Sequence, residues 1–154
     1  MSKTIEEKSE IVRKIAEEYF KKEELFCSEV VLKTINDLLP NPQPNEIIKL
    51  SSGFAAGVGA TGCLCGSISG GVMSLGLVYG RCYGEKMNEK MLPKAAALHH
   101  YMKSTYNSTC CRVLTKDFKD NKSNRKNHCM KLTGEVAYYI TKILLDDNIE
   151  LNIK

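Results

Sequence analysis

Ten of the eleven glycines in this 154-residue chain fall between Gly53 and Gly84, and that clustering limits the fold more than any other feature. Glycine inside a helix or strand costs about 0.5–1 kcal/mol relative to alanine and opens backbone angles that other residues avoid. The chain is thereby divided into two patterned flanks and a centre with few side chains to bury. The flanks read as helices. Ile11/Val12, Ile15/Ala16 and Tyr19/Phe20 recur every four residues among Lys and Glu, which predicts an amphipathic helix over residues 4–22. Thr4 and Glu7 have the spacing of a capping box. A second helix over residues 28–39 would bury Val31, Ile35, Leu38 and Leu39, and Pro40, Pro42 and Pro44 end it. A third, over residues 45–56, would turn Ile47, Ile48, Leu50 and Phe54 inward.

Residues 57–62 predict a turn-rich loop. After Cys65 the helical spacing returns, with Gly66, Gly70 and Ser74 four apart on one nearly bare face. Such a face is worth its loss of helix stability only if another backbone or a bulky group must approach. A crossing helix and a cofactor both meet that condition, and the two are compatible. Residues 92–106 predict a further helix carrying Ala95, Ala96, Leu98 and Met102, with Pro93 in its first turn. A polar loop through residues 117–127 then leads to a last helix starting near Cys129 and burying Leu132, Val136, Ile140, Ile143 and Leu144. No internal repeat and no alternating strand pattern is present. The expectation is an all-α chain in which residues 1–154 form a single domain, a helical bundle of about five to six helices with a glycine-rich central segment.

Seven cysteines overlie this pattern. Cys27, Cys65, Cys111 and Cys129 each directly precede a stretch with helical spacing. A helix N-terminus offers unpaired N–H groups and a partial positive charge, which favour thiolate over thiol. Four such sulfurs are what a metal centre or a redox disulfide site needs. A chain of this length can bury a core without disulfide staples, and an odd cysteine number does not suit a fully paired framework. Residues 1–10 are polar with no apolar run after them, unlike a signal peptide. The most apolar stretch, residues 70–80, is too short to span a bilayer. The expected setting is cytoplasmic, where cysteines more often bind metal or do redox work. The net charge of +4 is mild. Residues 116–131 are basic but lack the interleaved aromatics of a single-strand binder, so the run reads as a solvated loop, with neither nucleic acid nor membrane as partner.

Taken in order, Phe26-Cys27-Ser28-Glu29-Val30-Val31, Ser52-Gly53-Phe54-Ala55-Ala56-Gly57-Val58-Gly59, Cys65-Gly66-Ser67-Ile68-Ser69-Gly70, Cys111-Arg112-Val113-Leu114 and Cys129 before a closing helix resemble the redox-active family named for its C_GCAxxG_C_C cysteine pattern. The resemblance covers roughly residues 11–145. It implies that the family's four cysteines fall on Cys27, Cys65, Cys111 and Cys129, and that Ser67 stands where the family has alanine. The family is common in anaerobes and similar to the cluster-bearing helical part of split-Soret cytochromes, which implies an iron–sulfur centre.

The residues themselves leave the chemistry open. Four thiolates suit a [2Fe–2S] or [4Fe–4S] cluster or a structural zinc, but no C-x₂-C occurs, and structural zinc usually draws ligands in close pairs. Cys63 and Cys110 each neighbour one of the four and could substitute as ligand or act as a resolving thiol; packing is the plainer role. Cys82 reads as an incidental thiol. Gly66 would leave room beside Cys65, Arg112 could offset charge at Cys111 or lie on the surface, and His128 could hydrogen-bond or ligate at the site or stand at a solvated helix start. His99 and His100 lie outside any C-x-x-C-H haem motif. Phosphate-loop, dinucleotide, nucleophile-elbow and H-E-x-x-H motifs are absent. Three readings follow: an iron–sulfur protein of electron transfer or redox sensing with an unidentified redox partner protein, a metal-free thiol–disulfide protein using the same cysteines, and a zinc-stabilised module. The glycine-faced helix could also pack across a two-fold axis in a homodimer.

Overall fold

The computed structural model describes residues 2–154. Six α-helices and two 3-10 segments carry the described residues, with no strand among them: α1 (Ile5–Lys21), α2 (Cys27–Leu38), a 3-10 segment (Asn45–Phe54), α3 (Gly66–Tyr79), α4 (Met91–Tyr106), α5 (Cys111–Leu114), a short 3-10 turn (Lys116–Phe118) and α6 (Lys122–Asp146). The all-α expectation holds. None of these helices is long and apolar enough to cross a membrane.

Helix α1 begins where the sequence placed it. Thr4 Oγ1 accepts from the Glu7 amide at 3.1 Å, and the Glu7 carboxylate accepts from the Thr4 amide at 2.8 Å, so two of the orphan donors of the first turn are satisfied reciprocally. Val12 and Ala16 on its inner face are fully buried against Leu132, Val136, Ala137, Ile140 and Leu144 of α6. Gly134 lets the two helices close, because a Cβ there would meet Glu17 Cγ at 2.9 Å. Arg13 ion-pairs with Glu135, which also accepts from Tyr101 Oη.

The bare face of α3 has a packing explanation. A Cβ on Gly70 would run into the Ser28 carbonyl of α2, and one on Gly71 would press on Leu98 of α4 and Val136 of α6. The backbone of α3 is thus the hub against which α2, α4 and α6 pack. The small-residue face is used within the chain.

Two expectations need correction. Residues 45–54 form a 3-10 segment, not an α-helix, and the tighter winding leaves only Ile48 of the predicted inward set buried; Leu50 is 62% exposed and Phe54 37%. The last helix begins at Lys122, not near Cys129. Asn121 caps it, its Oδ1 accepting from the Asn124 amide at 2.9 Å. Most of the predicted polar loop over residues 117–127 is therefore helix, and its first two turns carry no apolar stripe because they face solvent and a cavity instead of the core.

Candidate metal centre

Cys27 is the first residue of α2, Cys65 lies immediately before α3, Cys111 opens α5, and Cys129 sits about two turns inside α6. The helix-start expectation thus fails for Cys129. All four nonetheless line one cavity of about 480 Å³, with Ala56, Gly66, Ser67, Arg125 and Thr133, walled by Phe20, Leu25, Leu114 and Leu132.

Local backbone pairing makes this convergence. The Cys65 amide donates to Thr109 O at 2.8 Å and the Cys111 amide to Cys63 O at 2.6 Å, around an isolated antiparallel bridge between Leu64 and Cys110. This pins two site cysteines side by side. Cys27 is fixed from the other wall: Ser28 Oγ donates to Ser51 O at 2.8 Å, and the Glu29 carboxylate accepts from the Phe26 amide at 2.8 Å and from Ser52 Oγ at 2.9 Å. Gly66 must lack a side chain, since its Cβ would stand 2.5 Å from Cys27 Sγ. Between these walls, Ala56, Gly57, Val58, Gly59 and Ala60 all have positive φ, from 51° to 75°. Three of them are not glycine, so the backbone is strained. A Cβ at Gly57 would lie 2.8 Å from Cys111 Cβ.

The electrostatics reverse one expectation. Burial pushes the Cys27 thiol up to about 12 and the Cys129 thiol up to about 11, and raises Cys111 as well. In each case loss of hydration is the largest cause, and the charge Cys65 would carry comes next. Desolvation outweighs the partial charge of a helix start. Opposing it, the Ala56 and Ser28 amides donate towards the Cys27 sulfur, and the Arg125 guanidinium lowers both Cys111 and Cys129. Cys65 Sγ lies 3.0 Å from the buried Ser67 Oγ.

Arg125 takes the place anticipated for Arg112. The Arg112 guanidinium instead donates to Thr61 O at 2.9 Å, clamping the loop at Gly62. Sequence reasoning missed Arg125, although it stands one turn before Cys129; that spacing means something only once the residues are known to be helical. Lys122 and Lys126, also within the run read as a solvated loop, line the cavity. Of the other candidates, Gly66 is at the site, whereas Cys63, Cys110 and His128 are not among the cavity's lining residues. Cys63 is exposed, Cys110 Sγ donates to Gly62 O at 3.0 Å, and His128 stacks on Phe118 at 4.6 Å. Cys82 is exposed. Among the described residues no group of three or more His, Cys, Asp or Glu is placed to hold a single metal ion; the four thiols line a common cavity.

The family model described as "Putative redox-active protein (C_GCAxxG_C_C)" matches residues 25–143, a span that contains the whole cysteine set. No curated protein and no solved structure matches the chain.

Proposed function

Because the chain belongs to the C_GCAxxG_C_C family of redox-active proteins, we propose that Cys27, Cys65, Cys111 and Cys129 hold an iron–sulfur cluster through which the protein transfers electrons or senses redox state. One observation carries this reading: four sulfurs from four separate elements open onto a single cavity of about 480 Å³. A lone zinc ion, with Zn–S bonds of about 2.3 Å, calls for sulfurs drawn to a point. A multi-iron group calls for sulfurs spread round a space. When bound, such a cluster supplies one-electron chemistry at a potential set by charge, hydrogen bonds to sulfur and exposure.

The chain's own residues suit that task. Gly66 keeps the wall beside Cys27 open, and the Ala56 and Ser28 amides give that sulfur hydrogen bonds. Arg125 supplies positive charge beside two sulfurs that would be anionic as ligands. Phe20, Leu25, Leu114 and Leu132 line the walls with apolar surface and limit the water that reaches the sulfurs. A metal-free thiol–disulfide cycle needs a ready thiolate, and burial opposes one at Cys27, Cys111 and Cys129.

The test is iron, zinc and acid-labile sulfide content, with a visible spectrum, on protein purified without oxygen. Iron and sulfide in matching amounts with visible absorbance are expected. Zinc alone, or no metal with paired cysteines, would replace this reading by the structural or the disulfide one.

A further inference from the structure

We propose that Ser67 is a positioning residue for the Cys65 sulfur, donating a hydrogen bond that holds the centre's reduction potential above the value the four cysteines alone would give. The proposal rests on the cluster reading above. Ser67 Oγ stands 3.0 Å from Cys65 Sγ, and both residues are buried, Ser67 completely. Several other buried hydroxyls on these helices bond back to the carbonyl four residues earlier, as Ser74 does to Gly70, Thr133 to Cys129 and Thr141 to Ala137, whereas Ser28 reaches Ser51 O and the Thr34 and Ser69 hydroxyls have no partner among the described residues. Ser67 has no such use: Cys63, four residues before it, lies ahead of the start of α3, so no helical carbonyl stands at that place. Its hydroxyl turns to sulfur.

In a free thiol either atom could donate. A metal-bound sulfur has no proton, so the direction becomes fixed and Ser67 is the donor. A donor to sulfur stabilises the more negative, reduced state of a cluster and raises its potential. The four sulfurs are then served unequally. Cys27 receives backbone amides, Cys111 and Cys129 share the Arg125 charge, and Cys65 has a neutral side-chain donor. Removing that donor leaves net charge and backbone intact, which makes its contribution separable.

The experiment compares wild type, Ser67→Ala and Ser67→Thr in anaerobic potentiometric titration, with dithionite supplying one electron through mediator dyes; no bond forms or breaks at Ser67. Ser67→Thr keeps the hydroxyl and adds one methyl at a fully buried position. Ser67→Ala is expected to keep full iron and sulfide but to shift the reduced-to-oxidised ratio at fixed ambient potential about tenfold towards oxidised, a displacement of about 59 mV for one electron. Ser67→Thr should restore the wild-type value. In D₂O, the Fe–S stretching bands should shift more in wild type than in Ser67→Ala, where the Ala56 and Ser28 amides and Arg125 still exchange. An unchanged potential in a fully loaded Ser67→Ala protein overturns the proposal. Loss of the cluster in that variant also overturns it, assigning Ser67 to assembly. A wild-type protein without iron and sulfide instead fails the cluster reading itself, and this inference with it.

Discussion

The two ends of α6 obey different rules. From Leu132 onward the helix packs into α1 along a regular apolar stripe, reinforced by Glu135 with Arg13 and Tyr101, and by the Arg13 guanidinium 4.3 Å over the Tyr138 ring. From Lys122 to Cys129 the same helix faces a cavity that a left-handed loop and a four-residue helix also line. The regular half is over-determined by many small apolar contacts. The irregular half is held by a few backbone hydrogen bonds and by glycines that admit close neighbours. The difference teaches where a sulfur site can be built: irregular backbone can aim amides at a buried sulfur, and a rigid half beside it keeps that backbone in place.

If the division is real, the two halves should respond to different insults. The largest effect is expected at the sulfurs. Cys65→Ser should abolish bound iron with the helical circular dichroism retained, whereas Cys82→Ser, at an exposed thiol that is not among the cavity's lining residues, should leave iron content unchanged. Equal iron in both variants would erase the distinction. Alkali gives the next largest effect, and only in metal-free protein. Cys27 is an acid whose folded-state value, about 12, lies above its ordinary value of 9.0. The fold therefore favours the protonated form, and its contribution is intact below pH 9 and lost as pH rises towards 12. That loss is on the order of 4 kcal/mol at most for Cys27. Urea midpoints at pH 8 and pH 11 should fall less in Cys27→Ser than in wild type, and less again in metal-loaded protein, where the ligand sulfurs are already deprotonated.

The same division governs what could be read from the sequence. Helix α1, its capping box and the inner faces of α2 and the second half of α6 were legible because apolar spacing records burial directly. The first two turns of α6 were not, since residues facing a cavity leave no apolar stripe; Asn121 as a cap was the available signal. Residues 45–54 carry apolar residues at helical spacing, yet Leu50 and Phe54 are exposed, because the pattern does not distinguish α from 3-10 winding. The four cysteines were visible as a set. The donors around them, Ala56, Arg125 and Ser67, were not, because each acts through backbone or side-chain placement that only the fold supplies.

Within α3 the comparison can be made on one helix. Gly70 touches the Ser28 backbone of α2, whereas Gly76 has nothing within 4 Å of the position its Cβ would take. Gly70→Ala should force α2 and α3 apart and lower stability by about 2–3 kcal/mol, disturbing Cys27 and reducing iron retention. Gly76→Ala should instead raise stability by up to about 1 kcal/mol through helix propensity. Thermal or urea unfolding of both variants checks the pair, and a matching sign in the two would mean that the bare face is not a packing surface.

The smallest effect probes the strain in the cavity wall. Val58 is 43% exposed and holds φ at +65°, a conformation that β-branched residues rarely adopt. Its side chain adds little burial, so Val58→Gly should remove strain at modest entropic cost and stabilise the protein by about 1 kcal/mol. Iron content should be unchanged, because the loop path that carries Ala56 to Cys27 is retained. The same substitution at Val136, fully buried in the α1–α6 core, should cost at least about 2 kcal/mol from lost apolar contacts and helix propensity. Urea midpoints for the two Val→Gly variants should therefore move in opposite directions. A loss of stability at Val58 would mean that its left-handed backbone is held by something other than steric strain tolerated for the site.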